Sequence, residues 1–141
     1  MAAGGGGSSV FAMGPEPGSS QGWLIGLTDP ENPARRLGTF RLTDPGLGIS
    51  AATHQYFDHG GRKLGHILDP RTAWPAEGVL SSAVIAPTAA EADALATAFY
   101  VLGPGPARDI CSRRPDLGAV ISSRTGLDII GQAERLFCRA G

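Results

Sequence analysis

Short apolar segments alternate along the chain with glycine- and proline-rich turns, a pattern typical of short β-strands joined by tight loops. Apolar runs that end at Gly-Pro or Asp-Pro predict the early strands, and an Asp-His-Gly-Gly turn predicts a hairpin. A run of small and β-branched residues predicts a buried strand, and a Thr-Gly turn separates a last pair. The predicted strands span residues 9–13, 23–28, 37–42, 55–57, 63–68, 79–86, 117–122 and 127–130.

One segment, residues 89–102, carries the signals of an α-helix. Thr88 and Glu91 form a Thr-x-x-Glu capping box, and a Gly-Pro pair follows the last turn. A second short helix is expected over 107–113, and residues 132–141 fit either a strand or a helix. The spacing on the main helix predicts a core stripe of Leu95, Ala98, Phe99 and Leu102.

These elements predict an α+β fold, a mostly antiparallel sheet with one well-capped, packed helix at residues 89–102. The chain has 141 residues, of which 42% are hydrophobic, so a packed core is expected rather than disorder. We expect a single domain over residues 1–141, an incomplete one as explained below, with a flexible glycine-rich start at residues 1–7.

Net charge, apolar runs and cysteine content limit the partners, the location and the cysteine chemistry expected for this chain. The net charge is −1, whereas proteins that bind the nucleic-acid backbone are basic, so we expect no nucleic-acid partner. No apolar run has the length of a membrane helix, and the start lacks the features of a signal peptide, so the chain as given is expected to be cytoplasmic. The two cysteines, Cys111 and Cys138, are expected to be free thiols.

Asp93 and Thr97 are the first candidate site residues. They are four positions apart on the predicted helix and therefore share a face that is otherwise mostly alanine. A carboxylate and a hydroxyl oxygen are ligands that suit Mg²⁺. The alternative is a solvated aspartate and a threonine that bonds back to the preceding turn, and spacing alone favours that alternative.

A second candidate group follows the predicted hairpin, in the sequence Gly-His-Ile-Leu-Asp-Pro-Arg-Thr at residues 65–72. His66 lies at a strand end, where a histidine can act as a base or pair with a phosphate. Asp69 could hold a turn or orient a neighbour. The alternative is a structural histidine beside a turn-forming Asp-Pro. The glycines at 4–7 lack the lysine of a P-loop, so a linker or a packing site is the better interpretation.

Together these segments resemble the FAD:protein FMN transferase family, the ApbE-type flavin transferases. Residues 65–72 look like the family's His-Ile-Ile/Leu-Asp-Pro-Arg/Lys-Thr-Gly block, and residues 84–98 resemble its strand followed by an Ala-Asp-Ala-Leu-Ser/Ala-Thr-Ala helix. Residues 6–14 and 23–33 are similar to its Gly-Gly-Asn/Ser strand and its Trp-x-Val/Ile-Gly-Ile-x-Asp-Pro segment. Four blocks agree in order and spacing over about residues 5–103.

The resemblance implies a Mg²⁺-dependent enzyme that cleaves FAD at its pyrophosphate, attaches FMN by a phosphoester bond to a Thr or Ser of a target flavoprotein, and releases AMP. It implies that Asp93 and Thr97 bind Mg²⁺ and that His66 is the catalytic base or a phosphate-side group. Asp69 would hold the adjacent turn. Ser50, His66 and Arg71 are the residues expected to contact FAD.

The chain departs from the family pattern in three ways. It matches only the C-terminal half and lacks the family's Asp-x-Gly-x-x-Ala-Lys-Gly motif. A Thr-Ser-Gly turn is replaced by Ile49, Ser50 and Ala51, which loses a hydroxyl and a glycine near the expected site. Ala73 stands where the family has a glycine, so the turn there is expected to differ, since alanine adopts a positive φ at a cost.

Two other functions therefore stay open. One is an inactive half-domain that binds flavin weakly, or that self-associates or pairs with a partner chain covering the missing half. Such a half-domain is expected to leave an apolar face uncovered. The other is an unrelated small β-rich binding module, which would require the four ordered matches to be accidental.

Overall fold

The computed structural model describes residues 2–5, 9–12, 18, 22–51, 56–59, 62–65 and 67–141. Three helices and thirteen strands lie within these ranges. The helices are α1 (Ala89–Leu102), α2 (Pro104–Arg113) and α3 (Ala133–Leu136). The strands are β1 (Ala2–Gly5), β2 (Ser9–Ala12), β3 (Trp23–Asp29), β4 (Asn32–Leu42), β5 (Gly46–Ala51), β6 (Tyr56–His59), β7 (Arg62–Gly65), β8 (Leu68–Asp69), β9 (Trp74–Pro75), β10 (Val79–Ala86), β11 (Gly118–Ser123), β12 (Gly126–Gly131) and β13 (Phe137–Arg139).

Two antiparallel sheets make up most of the described fold. The larger has six strands in the order β1-β2-β5-β10-β11-β12, and the smaller has three in the order β13-β4-β3. β6 pairs with β7 and β8 pairs with β9 as separate hairpins. The predicted α+β class with a mostly antiparallel sheet is confirmed.

The six-stranded sheet has a hydrophobic cluster on each face. On β10, Val84 and Ala86 belong to the cluster that also contains residues of α1 and α2, while Ala83 and Ile85 belong to the cluster that contains residues of β3 and β4. This division follows the alternation of side chains along a strand. The described part of the molecule is therefore layered as α1 and α2, the large sheet and the small sheet, each layer burying the apolar face of the next, while α3 packs on the side of the small sheet.

The core stripe predicted for α1 is largely wrong. The helix has the predicted bounds and Thr88 accepts the capping hydrogen bond from the Glu91 amide at 3.2 Å. Of the four predicted positions only Phe99 is buried, and Leu102 is exposed. The helix instead buries Ala92, Ala96, Phe99 and Tyr100.

Glycines on β5 explain why α1 packs on its alanine side. An added Cβ at Gly46 would lie 2.5 Å from the amide nitrogen of Ala89, and one at Gly48 would overlap the main chain at Ala92. Both glycines thus let the helix backbone approach the sheet closely. The sequence pattern predicts no strand at β5, because glycine has a low propensity for strands.

Other boundaries differ from the predictions by short segments. β4 begins at Asn32 rather than at residue 37, and α2 begins at Pro104 rather than at residue 107. The ambiguous tail contains a short helix followed by a strand. Residues 2–5, placed before the first predicted strand, pair with β2. In the ranges that the structure describes, no helix combines the length and the apolar character needed to cross a membrane.

Candidate functional site

Ser50 and Thr97 come together where α1 crosses the end of β5. Their side-chain oxygens are 2.9 Å apart and share a hydrogen bond, although 47 positions separate them in sequence. Gly46 and Gly48 precede Ser50 on the same strand face, so the close approach they permit brings the third turn of α1 within reach of Ser50. Ser50 is buried and Thr97 is exposed, so the pair lies at a boundary between core and solvent.

Asp93 lies one turn before Thr97 on the exposed side of α1. Within the described part of the chain, its carboxylate makes no ion pair or side-chain hydrogen bond and is free to take a ligand. The Thr97 hydroxyl also lies 3.4 Å from the Asp93 carbonyl oxygen, which is the back-bond that the structural alternative predicted. The Thr97 hydroxyl therefore makes both this long contact and the 2.9 Å hydrogen bond to the Ser50 hydroxyl.

The donor set around Asp93 fits a small hard cation only in part. Asp93, Thr97 and Ser50 offer one carboxylate and two hydroxyl oxygens, which is the ligand chemistry that Mg²⁺ takes together with water and phosphate oxygens. Among the described residues no three or more His, Cys, Asp or Glu side chains gather into a metal-binding group. A cation here would therefore take most of its ligands from a bound phosphate and from water.

Ser82 is a neighbour that the sequence analysis did not single out. It is the register partner of Ser50 on β10 and lies on the strand face that α1 covers. Its side chain is fully buried, and its hydroxyl has no hydrogen-bond partner among the described residues. The position of Ser82 beside Ser50 follows from the pairing of β5 with β10. This pairing could not be predicted, because the sequence pattern predicts no strand at β5.

Asp69 and Arg71 form a second group, in the turn between β8 and β9. The Arg71 side chain donates from Nε to Oδ1 at 2.9 Å and from Nη2 to Oδ2 at 2.6 Å, and its amide donates to Oδ1 at 2.9 Å. These bonds hold the pKa of Asp69 below its ordinary value, the side-chain bond being the largest cause. Asp69 also raises the pKa of Arg71. The predicted role of Asp69 in holding the turn is consistent with this geometry.

His66 lies outside the described residues. On either side of it, β7 ends at Gly65, and the Ile67 carbonyl accepts a hydrogen bond from the Ala76 amide at 2.8 Å. No hydrogen bond or ion pair within the described chain links the Asp69 turn to Ser50 or Thr97. The structure therefore brings together two sets of predicted residues, Ser50 with Thr97 and Asp69 with Arg71.

Ala73 adopts a left-handed backbone conformation. Its φ is 54°, and it is the single non-glycine residue with positive φ in the described ranges. The Asp69 carbonyl accepts from the amides of Thr72 at 3.2 Å and Ala73 at 2.8 Å, which closes the turn. These hydrogen bonds hold the alanine in a region of φ that is costly for an L-residue, and the difference from the family's turn stays a prediction.

The exchange at Ile49 affects the opposite face of the sheet. Ile49 packs against the cluster that contains Phe40 and Leu42, whereas Ser50 points toward α1. A hydroxyl at position 49 would therefore face away from Asp93 and Thr97. The hydroxyl lost in this exchange is not one that contacts the helix.

Comparisons with known proteins relate this chain to one protein family. The family model described as the ApbE family matches residues 3–121. The chain is 34% identical over 108 residues to an FAD:protein FMN transferase of Escherichia coli K12, covering 74% of this chain and 30% of that protein. A protein of the same name from Rhodobacter capsulatus is 41% identical over 86 residues, covering 60% of this chain and 16% of that protein.

Solved structures extend the likeness to the fold. The ApbE protein of Thermotoga maritima superposes with a TM-score of 0.79 at 30% identity, covering 92% of this chain and 42% of that one. The flavinyl transferase ApbE of Pseudomonas stutzeri gives a TM-score of 0.71 at 27% identity, covering 95% and 42%. The chain thus spans less than half the length of these relatives. Because the family model covers most of its residues, the chain belongs to the ApbE family.

Proposed function

We propose that this chain forms the C-terminal part of a Mg²⁺-dependent FAD:protein FMN transferase. The reaction would attach FMN by a phosphoester bond to a Thr or Ser of a target flavoprotein and release AMP. The observation that carries the proposal is the Ser50–Thr97 hydrogen bond beside Asp93, which gathers oxygen ligands at the rim of the sheet. The names of the relatives and the match to the ApbE family support the same chemistry.

In this proposal Asp93 and Thr97 hold the Mg²⁺ ion. When bound, the ion neutralises charge on the pyrophosphate of FAD. Ser50 fixes the Thr97 hydroxyl through the 2.9 Å bond, so that its oxygen is oriented before the ligand arrives. Ser50 is also the proposed contact to FAD on this side, because its hydroxyl is the polar group of β5 nearest to Thr97.

The β8–β9 turn supplies the groups on the phosphate side. Asp69 clamps Nε and Nη2 of Arg71, but the Arg71 side chain is 64% exposed, so its remaining N–H groups can reach a phosphate oxygen. His66 is proposed as the base. It takes the proton of the acceptor hydroxyl as that oxygen bonds to the phosphorus of the FMN phosphate, while the bond to the AMP oxygen breaks.

A transfer assay with matched variants tests the proposal. The chain is incubated with Mg²⁺, FAD and an acceptor flavoprotein carrying the target Thr, and mass spectrometry measures covalent FMN while chromatography measures AMP. We expect both products in equal amounts. Thr97→Val should reduce the rate about 10- to 100-fold, while Thr97→Ser, which keeps the hydroxyl, should retain most of it. Equal rates for the two variants would contradict the role of Thr97.

A second candidate function is flavin binding without transfer, in a half-domain that self-associates or pairs with a separate polypeptide. The observation that favours it is the extent of the match, 30% of the length of the Escherichia coli relative. FAD binding with no AMP release would support this second function. Sedimentation of the chain as a dimer, or activity that appears only when a second polypeptide is added, would support the pairing.

A further inference from the structure

A basic cleft lies on the other side of the large sheet from Ser50 and Thr97. It has a volume of about 420 Å³, within the range of small-molecule sites. Its walls are the β3–β4 hairpin, the β11–β12 hairpin and residues 139–141 at the end of β13. Neither turn contributes a residue to the site proposed above, so the cleft is separate from it.

Neighbouring residues of β10 face the cleft and the proposed transferase site. Ser82 pairs with Ser50 on the face covered by α1, whereas Ser81 shares a 2.6 Å hydrogen bond with Ser122, which lines the cleft. Successive residues of a strand point to opposite faces. The cleft and the proposed transferase site therefore lie at the same end of the sheet and on opposite faces.

The cleft is strongly cationic. Its charged side chains are four arginines and one aspartate, namely Arg35, Arg36, Arg124, Arg139 and Asp29. Arg35 contacts Asp29 at 3.4 Å, and Arg124 contacts Glu31, just outside the cleft, at 3.5 Å. Both arginine side chains are more than two-thirds exposed, so these ion pairs are weak and an anion can displace them.

Arg139 is a cleft arginine that has no acidic partner among the residues that the structure describes. Its Nη2 donates a 3.2 Å hydrogen bond to the carbonyl oxygen of Leu127, which also lines the cleft. An arginine held against the backbone in this way presents its other donors to a ligand in the cleft. The guanidinium of Arg36, by contrast, lies over Gly26 on the face of β3 opposite to the buried Leu27, and therefore points away from the cleft.

The remaining lining contains hydroxyl and apolar groups. Ser123 and Thr125 bring hydroxyls on the β11–β12 turn, and Leu37, Leu80 and Leu127 bring apolar surface. We propose that this cleft binds a small organic phosphate, with the phosphate among Arg35, Arg124 and Arg139 and its apolar part against the leucines. A phosphate dianion has enough oxygens to engage several guanidinium groups at once, which a single carboxylate has not. This inference does not depend on the proposed transferase function.

Titration with phenyl phosphate, followed by amide NMR spectra of the whole chain, tests the proposal. We expect saturable shifts confined to residues 35–37, 122–127 and 139–141, with no shifts at 93–97. Arg139→Gln and Arg124→Gln should each weaken binding about tenfold, because each removes a charge-assisted hydrogen bond. Arg113→Gln is the matched control, since Arg113 is an exposed arginine on α2 outside the cleft.

Three results would overturn the proposal. They are no saturable shift in the cleft, equal affinity of wild type, Arg139→Gln and Arg124→Gln, or benzoate binding as tightly as phenyl phosphate. Thermal unfolding of each variant verifies that it is folded, and if one arginine variant does not fold, the other decides the outcome. Weaker binding at higher salt is also expected, since the attraction is between charges at the surface.

Discussion

Asp69 and Arg71 show how much two residues in one turn determine locally. The carboxylate of Asp69 is nearly buried, yet it accepts bonds from both the side chain and the amide of Arg71. The bonds favour the charged form and lower its pKa. The sequence predicted an Asp-Pro turn here, but the bidentate pairing with Arg71 depends on a backbone conformation that the sequence alone did not reveal.

The pH dependence of stability should report this pairing. Because the pKa of Asp69 is lower in the folded state, its contribution is present above the unfolded value near 3.8 and is lost as pH falls through the folded value. We expect Asp69→Asn to lower the free energy of unfolding at pH 7, and the difference from wild type to shrink below pH 4. Urea denaturation at pH 7 and pH 3 measures it.

Asp109→Asn is the control for that measurement. Asp109 faces Arg113 at 3.8 Å with both side chains exposed, so its replacement should change stability little at either pH. A difference between wild type and Asp69→Asn that is the same at both pH values would contradict the account of Asp69.

The backbone conformation of Ala73 is less favourable for alanine than it would be for glycine. With φ at 54°, it lies in the left-handed region, which costs an L-residue about 1 kcal/mol or more. We expect Ala73→Gly to raise the free energy of unfolding by about 1 kcal/mol. Ala94→Gly, at an exposed position inside α1, should lower it by about 1 kcal/mol. Chemical denaturation compares the two, and a loss of stability in Ala73→Gly would refute the explanation.

Among the elements, the bounds of α1 were predicted correctly, but the side of the helix that packs against the sheet was not. Capping residues and a Gly-Pro stop are local signals, so the helix ends could be read directly. The buried side depends on β5, whose glycines are adapted to the helix rather than to the strand. A hydrophobic pattern predicts that the large leucine side chains are buried. It does not predict that glycines on β5 let the alanine side of α1 pack against the sheet.

Substitution of Gly48 tests the close packing of α1 on β5. A methyl group there would overlap the main chain at Ala92, which cannot move independently of the helix. We expect Gly48→Ala to destabilise the fold by about 1–3 kcal/mol and to weaken any ligand bound at Asp93. Calorimetric unfolding measures the first effect.

Gly105→Ala is the matched control for Gly48→Ala. Gly105 lies in α2, has no positive φ, and an added Cβ meets no atom within 4 Å. This variant should be close to neutral, because the helix propensity of alanine is opposed by its position directly before Pro106, where a side chain disfavours the helical conformation. Equal losses for the two glycine variants would show that the contact with α1 is not the cause.

For the whole molecule, sequence motifs point to candidate site residues, but they do not reveal the layers that surround those residues. Asp93, Thr97 and the Asp69 turn were selected from short local patterns, and their neighbours follow from the fold. The bond from Ser50 to Thr97 and the position of Ser82 require the pairing of β5 with β10, a contact between residues distant in sequence. The basic cleft likewise combines hairpins from two sheets with residues 139–141, so no single segment indicates it.

The most direct test of the central claim is calorimetric titration of FAD into wild type and Asp93→Ala. The account predicts Mg²⁺-dependent binding by wild type that disappears with excess EDTA and is lost in Asp93→Ala. The thermal midpoint of the variant should stay close to that of wild type, because Asp93 is exposed. Equal binding by both proteins, or binding unaffected by EDTA, would contradict the assignment of Asp93 and Thr97 as the metal-binding residues.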